Sequence, residues 1–157
     1  SAVLGICLGA QMIAEVSGAE VRRNPGREIG WFPIELEADR LPWALDLPDR
    51  LTVMHWHGET FGIPDGMQRF AVSAACENQG YVSPDGRVLG LQCHLEWDRE
   101  TASALIEHCG DELDGSAWVQ DAKLILAGFG AHDPTRPLWP MLDAMLRGVV
   151  SDQPLHA

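Results

Sequence analysis

Residues 4–11 of the chain read Leu-Gly-Ile-Cys-Leu-Gly-Ala-Gln and join two apolar runs that differ in period. The run from Ala2 to Ile6 is continuous, as in a strand buried on both faces. After Cys7, apolar residues recur at helical spacing as far as Val16, and Gly18 supplies a helix stop. The pattern predicts a strand, a tight turn at the cysteine and a helix.

The position of Cys7 is typical of a nucleophile elbow, in which the reactive residue occupies a strained strand-to-helix turn. Gly5 and Gly9 flank it, and small residues on both sides would let neighbouring backbone pass close by. The amino end of the following helix favours a thiolate, and the Leu8 N–H is placed to bind an oxyanion. The alternative is that Cys7 is a small buried apolar residue.

A second segment, residues 90–96, reads Gly-Leu-Gln-Cys-His-Leu-Glu and ends a strand-like run. Residues two apart at a strand end point to the same side, so His94 and Glu96 can reach one site. A cysteine nucleophile needs a base, and the base needs a group that fixes its tautomer, so we predict a triad of Cys7, His94 and Glu96. On its own, the pair could equally be a surface His–Glu contact.

Strands and helices alternate along the rest of the chain. Strands are predicted at 31–36, 51–55, 69–75, 80–83 and 88–93, and helices from Asp98 to Gly110, at 117–127 and at 138–149. A polar loop is expected around Asn24-Pro25-Gly26. This order predicts a layered α/β domain that spans residues 1–157, with 111–157 as its carboxyl-terminal helical extension.

The charge balance argues against two classes of partner. The 157 residues carry 23 acidic and 11 basic side chains, a formal net charge of −12. Such a chain repels phosphate backbones and anionic bilayers, so we expect neither nucleic acid nor membrane as a partner. The four cysteines show no CxxC spacing and lie in apolar segments, which predicts free thiols in a cytoplasmic protein.

Histidines raise the question of a metal site. The spacing His55-Trp-His57 on a strand would place two imidazoles on one face, and with His94 they could form a zinc site. No acidic or cysteine ligand converges with them by spacing, and the triad already uses His94. We therefore expect no metal and no cofactor.

Taken together, residues 5–11 and 90–96 resemble the two signature motifs of class I glutamine amidotransferases, which use a Cys-His-Glu triad. Glu28-Ile29-Gly30-Trp31 resembles the Glu-x-Gly-aromatic loop of that family. The turn His57-Gly58-Glu59 and the segment 73–81 are similar to the stand-alone group related to the amidotransferase domain of GMP synthase. The resemblance implies a doubly wound, flavodoxin-like sheet, mixed or parallel, with flanking helices.

The resemblance also implies a glutaminase reaction. The cysteine attacks the side-chain amide of glutamine, the histidine protonates the departing ammonia, and water hydrolyses the γ-glutamyl thioester. By motif position, the substrate would be held by Gln11, Glu28, Gly30, His57, Gly58 and Glu59. The family has an aromatic residue and a proline where this chain has Cys93 and Leu95; both changes keep apolar bulk.

Members of that family carry about 70 to 90 residues before the cysteine motif, including the first strands and a loop that donates a second oxyanion N–H. This chain starts directly on its apolar run. We therefore expect an amidotransferase domain that is partial at its amino end, whose Ala2–Ile6 strand lacks one neighbour.

Two other functions stay open at this point. One is a related cysteine hydrolase that acts on γ-glutamyl compounds with the same triad and transfers no ammonia. The other is a non-catalytic interaction module. The sequence has no phosphate-cradling glycine loop, so the acceptor chemistry would lie on a partner, such as a synthase or acceptor subunit, or in the part expected to precede Ser1.

Overall fold

One mixed sheet of six strands organises the residues that the computed structural model describes, 1–43 and 45–151. The strands are β1 (Val3–Ile6), β2 (Val21–Leu36), β3 (Arg50–Phe61), β4 (Gln68–Ser73), β5 (Gly80–Val82) and β6 (Val88–Leu91). Their order across the sheet is β1-β6-β5-β4-β2-β3. β1 and β6 run parallel, and the other neighbours are antiparallel.

Four helices flank this sheet in the described ranges: α1 (Leu8–Val16), α2 (Arg99–Cys109), α3 (Ala122–Gly128) and α4 (Leu138–Ser151). The predicted α/β class with a mixed sheet and flanking helices is confirmed. In α1 the apolar spacing identified the helix but not its buried face, because Ala10 and Ala14 are buried while Met12 and Val16 are exposed. No described helix has both the length and the apolarity to cross a bilayer.

One helix end agrees with the sequence prediction and one differs. α2 ends at Cys109 with Gly110 as its C-cap, as predicted, although Gly110 has ordinary helical angles, φ −63° and ψ −16°, and the chain continues into a 3-10 turn, Gly110–Glu112. The helix predicted at 117–127 begins only at Ala122, because Val119 forms a parallel bridge with Ile29 of β2. Tertiary pairing of an extended segment overrides the helical pattern there.

β2 and β3 are longer than predicted, and more residues pair between them than between any other two strands of the sheet. The expected loop at 24–26 and the expected turn at 57–59 both lie within these strands, so both assignments were wrong. Arg23 pairs with Glu59 and Glu28 pairs with His57, which leaves residues 24–27 opposite Gly58 alone. Residues 24–27 therefore form a bulge in β2, and strand pairing resumes at Glu28.

The core consists of three apolar clusters on the sheet. Ile29, Trp31 and Met54 pack with α2 and α3, and the Trp31 indole N–H donates to the Ile125 carbonyl at 2.8 Å. α1 packs its two alanines on Phe61 and Tyr81. α4 adds Leu138, Met141 and Met145 to the largest cluster, so residues beyond 111 share the core. The assignment of 111–157 as a carboxyl-terminal helical extension of the same domain stays a prediction, and 152–157 lie outside the described residues.

The free-thiol prediction is confirmed, since all four cysteines are unpaired. Cys76 and Cys93 are buried, and burial raises the pKa of both thiols above the ordinary range. Such thiols pack as small apolar groups and are poor nucleophiles. Cys7 and Cys109 are partly exposed.

Gly90 of β6 gives a direct test of this packing. A Cβ at this position would lie 2.3 Å from the Tyr81 ring, whose hydroxyl is held by the Ala10 carbonyl and cannot easily retreat. We expect Gly90→Ala to lower the free energy of unfolding by about 1–3 kcal/mol. Chemical denaturation should measure the loss.

The matched control is Gly110→Ala. Among the described residues, a Cβ at Gly110 would meet no atom within 4 Å, and the backbone there is helical. This variant should be neutral or gain up to about 1 kcal/mol. Equal stability of the two variants would contradict the packing described between β5, β6 and α1.

Candidate active site

Cys7 occupies the turn between β1 and α1 in the conformation that an elbow requires. Its φ is 49° and its ψ −108°, and it is the one non-glycine residue with positive φ in the described part of the chain. Strain of this kind is retained where the surrounding structure fixes it. The Cys7 N–H donates to the Leu91 carbonyl at 2.7 Å, which ties the turn to the end of β6.

The two flanking glycines are not equally necessary. A Cβ at Gly5 would lie 2.6 Å from the Gly9 backbone and 2.6 Å from the Ile13 side chain, so only glycine lets α1 pass so close to β1. A Cβ at Gly9 would meet no described atom within 4 Å. The predicted steric role is therefore confirmed for Gly5, and among the described residues nothing requires glycine at position 9.

His94 and Glu96 follow β6 at the same edge of the sheet. The His94 N–H donates to the Met54 carbonyl of β3 at 2.8 Å, which fixes the backbone just before the histidine side chain. The Glu96 carboxylate accepts from Nδ1 of His94 at 2.7 Å. The rings of Trp97 and His94 stack with centroids 4.3 Å apart. The imidazole is thus held from two sides.

The side chains around the imidazole stabilise its charged form. Burial disfavours the charged ring, but interactions with the Cys7 and Glu96 side chains outweigh burial and raise the pKa of His94 to about 9. A protonated imidazole beside a thiolate is the resting state of many cysteine nucleophiles. The expected hydrogen bond between His94 and Glu96 is present, and the catalytic roles of Cys7, His94 and Glu96 stay a prediction.

Sequence reasoning missed Gln92, which is fully buried beside the thiol. Its amide nitrogen donates to Cys7 Sγ at 3.5 Å, and its amide oxygen accepts from Gln11 at 3.3 Å. The carbonyl of Trp56 lies 3.9 Å from the same sulfur. A glutamine just beyond a strand gives no local signal of such a role, because the contact depends on the parallel pairing of β1 and β6.

Five of the six residues predicted to bind the substrate fall into three groups. Gln11 is buried next to Gln92, within the immediate surroundings of Cys7. Gly58 and Glu59 line a recess of about 360 Å³ beside the β2 bulge. Glu28 and His57 are buried and bonded to each other, Nε2 to Oε2 at 3.1 Å.

Gly30 lies away from all of these groups, with φ 122° and its Cα facing the Gln120 side chain. The Gln120 amide accepts from the Trp31 N–H at 3.0 Å and donates to the Trp31 carbonyl at 3.1 Å. A side chain at position 30 would collide with this amide. The glycine is therefore required by backbone conformation and close packing, and the substrate-binding role stays a prediction.

Glu28 joins His55 and His57 inside the sheet. Burial raises the pKa of Glu28, but the hydrogen bond from His57 and the nearby histidines outweigh burial and lower the pKa below its ordinary value. Burial lowers the pKa of His55 to about 4, so His55 is neutral. The sequence argument that no acidic side chain converges on the two histidines was wrong, because Glu28 approaches from β2, across the strand pair.

Cavity size does not locate the reactive centre. A recess of about 560 Å³ lies between residues 46–52 and 131–140 and contains none of the candidate residues. The chemistry is instead concentrated where the turn after β1 meets the end of β6. The contacts of Cys7, and not the volume of a recess, mark the candidate reactive centre.

Comparison with known families gives a match over the part of the chain that contains both motifs. The profile of the family described as glutamine amidotransferase class-I matches residues 1–110. The glutamine amidotransferase-like protein YfeJ of Salmonella typhimurium is 36% identical over 148 residues, which cover 91% of this chain and 61% of that protein. A subunit of the glutamine-hydrolysing GMP synthase of Methanoculleus marisnigri is 35% identical over 95 residues, 60% of this chain and 51% of that protein.

Solved structures agree with the sequence comparisons. A glutamine amidotransferase of Thermotoga maritima superposes with a TM-score of 0.71 at 39% identity, over 93% of this chain and 61% of that one. A glutamine amidotransferase of Methylobacillus flagellatus gives a TM-score of 0.79 at 30% identity, over 99% and 66%. This chain spans about three fifths of the length of YfeJ and of the Thermotoga protein.

Replacing Glu96 by Gln tests the contact that holds the imidazole. The amide keeps the size of the side chain but carries no charge, so the pKa of His94 should fall from about 9 towards about 7. An NMR titration of the His94 ring measures this directly. Glu100→Gln, at the exposed start of α2, is the control and should leave the titration unchanged.

The effect of Glu96→Gln on the free energy of unfolding should depend on pH. Because the pKa of His94 is raised from 6.5 to about 9 on folding, its contribution is fully present below pH 6.5 and is lost as the pH rises through 9. Glu96→Gln should therefore destabilise the protein at pH 6 and have little effect near pH 10. An equal loss at both pH values, or an unchanged His94 titration, would contradict the assigned contact.

Proposed function

This chain belongs to the class-I glutamine amidotransferase family, and on that premise we propose that it hydrolyses the side-chain amide of glutamine. Cys7 is the nucleophile, His94 the general acid and base, and Glu96 the carboxylate that orients the imidazole. The observation that carries the proposal is the strained Cys7 turn at the same sheet edge as His94, whose Nδ1 Glu96 holds at 2.7 Å and whose pKa Cys7 and Glu96 raise to about 9. The resemblance of the two motifs to this family is confirmed.

In the first half-reaction the thiolate of Cys7 attacks the amide carbon of glutamine. The developing oxyanion is stabilised by the N–H of Leu8, which lies in the first turn of α1, where N–H groups have no acceptor within the helix. The C–N bond then breaks, and the imidazolium of His94 gives its proton to the leaving nitrogen. The products are ammonia and a γ-glutamyl thioester on Cys7.

In the second half-reaction the neutral imidazole removes a proton from water, which attacks the thioester carbon. The C–S bond breaks, glutamate leaves, and the thiolate and imidazolium are restored. Glu96 stays ionised through both steps and stabilises each imidazolium that forms. The amide N–H of Gln92, 3.5 Å from the sulfur, stabilises the thiolate as nucleophile and as leaving group.

Substrate recognition is divided between two places. Gln11 acts beside the reacting centre together with Gln92. Gly58 and Glu59 act at the recess beside the β2 bulge. Glu28 and His57 act from behind, since their side chains are buried against each other and hold the strand that carries Gly58 and Glu59. Gly30 acts as a packing residue at Gln120.

The ammonia requires an acceptor, and the names of the relatives indicate the kind of protein that could supply one. Several of them are called glutamine-hydrolysing GMP synthase, and two of these are named as a single subunit of that enzyme. We propose that this chain likewise delivers ammonia to a synthase domain or acceptor subunit. The match covers only 51% of the Methanoculleus protein. That the whole protein delivers ammonia to an acceptor is therefore a proposal as well.

The proposed nucleophile is tested by a matched pair of cysteine variants. Cys7→Ala should lower the rate of ammonia release from glutamine by roughly 10⁴-fold or more and leave the thermal midpoint almost unchanged. Cys109→Ala, also a partly exposed thiol, should keep the rate. A glutamine-like diazoketone should label Cys7 alone, as mass spectrometry of the peptides would record.

The same assay separates the other functions. Release of amine from γ-glutamyl amides without hydrolysis of glutamine would favour a γ-glutamyl cysteine hydrolase. Absence of both turnover and labelling would favour a non-catalytic module. Turnover retained in Cys7→Ala would place the nucleophile elsewhere and refute the proposal.

A further inference from the structure

Two histidines and a glutamate that are not part of the proposed triad meet inside the β2–β3 pair. Glu28 lies on β2, and His55 and His57 lie two residues apart on β3, so that both imidazoles share one face. The side chains are 0%, 0% and 1% exposed. One carboxylate oxygen and one ring nitrogen from each histidine all lie within 4.8 Å of one another.

In each histidine one ring nitrogen faces Glu28, the inner nitrogen, and the other faces a backbone carbonyl, the outer nitrogen. The contacts of the outer nitrogens determine which tautomer each histidine adopts. Nε2 of His55 lies 3.2 Å from the Phe32 carbonyl, and Nδ1 of His57 lies 3.0 Å from the Glu59 carbonyl. A carbonyl oxygen only accepts, so each of these nitrogens carries the proton and donates it. In a neutral ring the inner nitrogen then carries a lone pair. Histidines that bind metals are held by backbone carbonyls in the same way.

Both inner nitrogens face one carboxylate. Nε2 of His57 is 3.1 Å and Nδ1 of His55 is 3.5 Å from Oε2 of Glu28. Among the described residues, Nδ1 of His55, Oε1 of Glu28 and Oε1 of the neighbouring Gln79 are buried without a hydrogen-bond partner. Lone pairs that converge with a carboxylate in a buried place are unfavourable unless a cation lies among them.

We propose that Glu28, His55 and His57 bind a divalent transition-metal ion of the zinc type. Zinc bonds to imidazole nitrogen and carboxylate oxygen are about 2.0–2.2 Å long, so two ligands of a tetrahedral ion lie about 3.3 Å apart. The measured separations of 3.1 and 3.5 Å bracket that value.

A single proton explains the cluster less completely. A proton on Nε2 of His57 would pair that nitrogen with Glu28, which accounts for one contact. It would leave the inner nitrogen of His55 still without a partner. One metal ion serves the two nitrogens and the carboxylate together, and it neutralises the buried negative charge.

The surroundings of Glu28 are built as an outer shell. Ser73 Oγ donates to Glu28 Oε2 at 3.1 Å and the Gln79 amide nitrogen donates at 2.6 Å. Such bonds orient a metal-binding carboxylate, and their loss usually weakens binding 10–100-fold. The ion would link β2 to β3, and through Ser73 to the end of β4. A buried ion of this kind adds directly to folding stability.

The test supplies the metal during refolding, because the cluster is closed to solvent. Chain refolded with Zn²⁺ and then dialysed should hold one equivalent by elemental analysis, and a strong chelator should lower its thermal midpoint. Glu28→Gln and His55→Asn should each bind Zn²⁺ roughly tenfold or more weakly. His108→Asn, at an exposed position in the last turn of α2, is the matched control and should bind as the parent does.

Two further measurements test the metal site even if the chain is not a glutaminase or the Glu28 and His55 variants do not fold. Cys7→Ser should retain the full equivalent of zinc, which separates this site from metal captured at the triad. The Co²⁺ form of the unaltered chain should show visible d–d bands without thiolate charge transfer. A parent chain that binds no stoichiometric Zn²⁺, a thiolate band, or loss of the metal in Cys7→Ser would overturn the proposal.

Discussion

The parallel pairing of β1 with β6 is the constraint on which the candidate site depends. Its register runs from Val3 opposite Val88 to Ile6 opposite Leu91, and it continues as the 2.7 Å bond from the Cys7 N–H to the Leu91 carbonyl. Parallel strands end at the same edge of a sheet, so the turn after β1 and the segment after β6 meet there. A change of register by one residue would send one of the two side chains to the opposite face.

The remaining strands support this edge from behind. β3 contributes the Met54 carbonyl, which receives the His94 N–H, and the Trp56 carbonyl near the Cys7 sulfur. The side chains of His55 and His57, on the same strand, contact Glu28. β3 is therefore shared by the reacting centre and by the buried polar cluster. Stabilising the β2–β3 pair would also fix the backbone against which His94 rests.

The sequence was sufficient wherever the decisive contacts are local. Residues 4–11 and 90–96 contain their own turns and alternation, and the strand-turn-helix at Cys7 and the side shared by His94 and Glu96 follow from them. The β2 bulge and the approach of Glu28 to the histidines depend on pairing between strands far apart in sequence. Polar residues in a bulge and in a loop have the same composition, so local reasoning could not separate the two.

The central claim is that Cys7 forms a covalent bond to the γ-carbonyl of glutamine. Its most direct measurement is mass spectrometry of the chain quenched in acid during turnover with glutamine, followed by peptide mapping. The account predicts one γ-glutamyl group on the peptide that contains Cys7, present as a thioester that hydroxylamine removes. Ammonia release with no such adduct, or with the adduct on another residue, would contradict it.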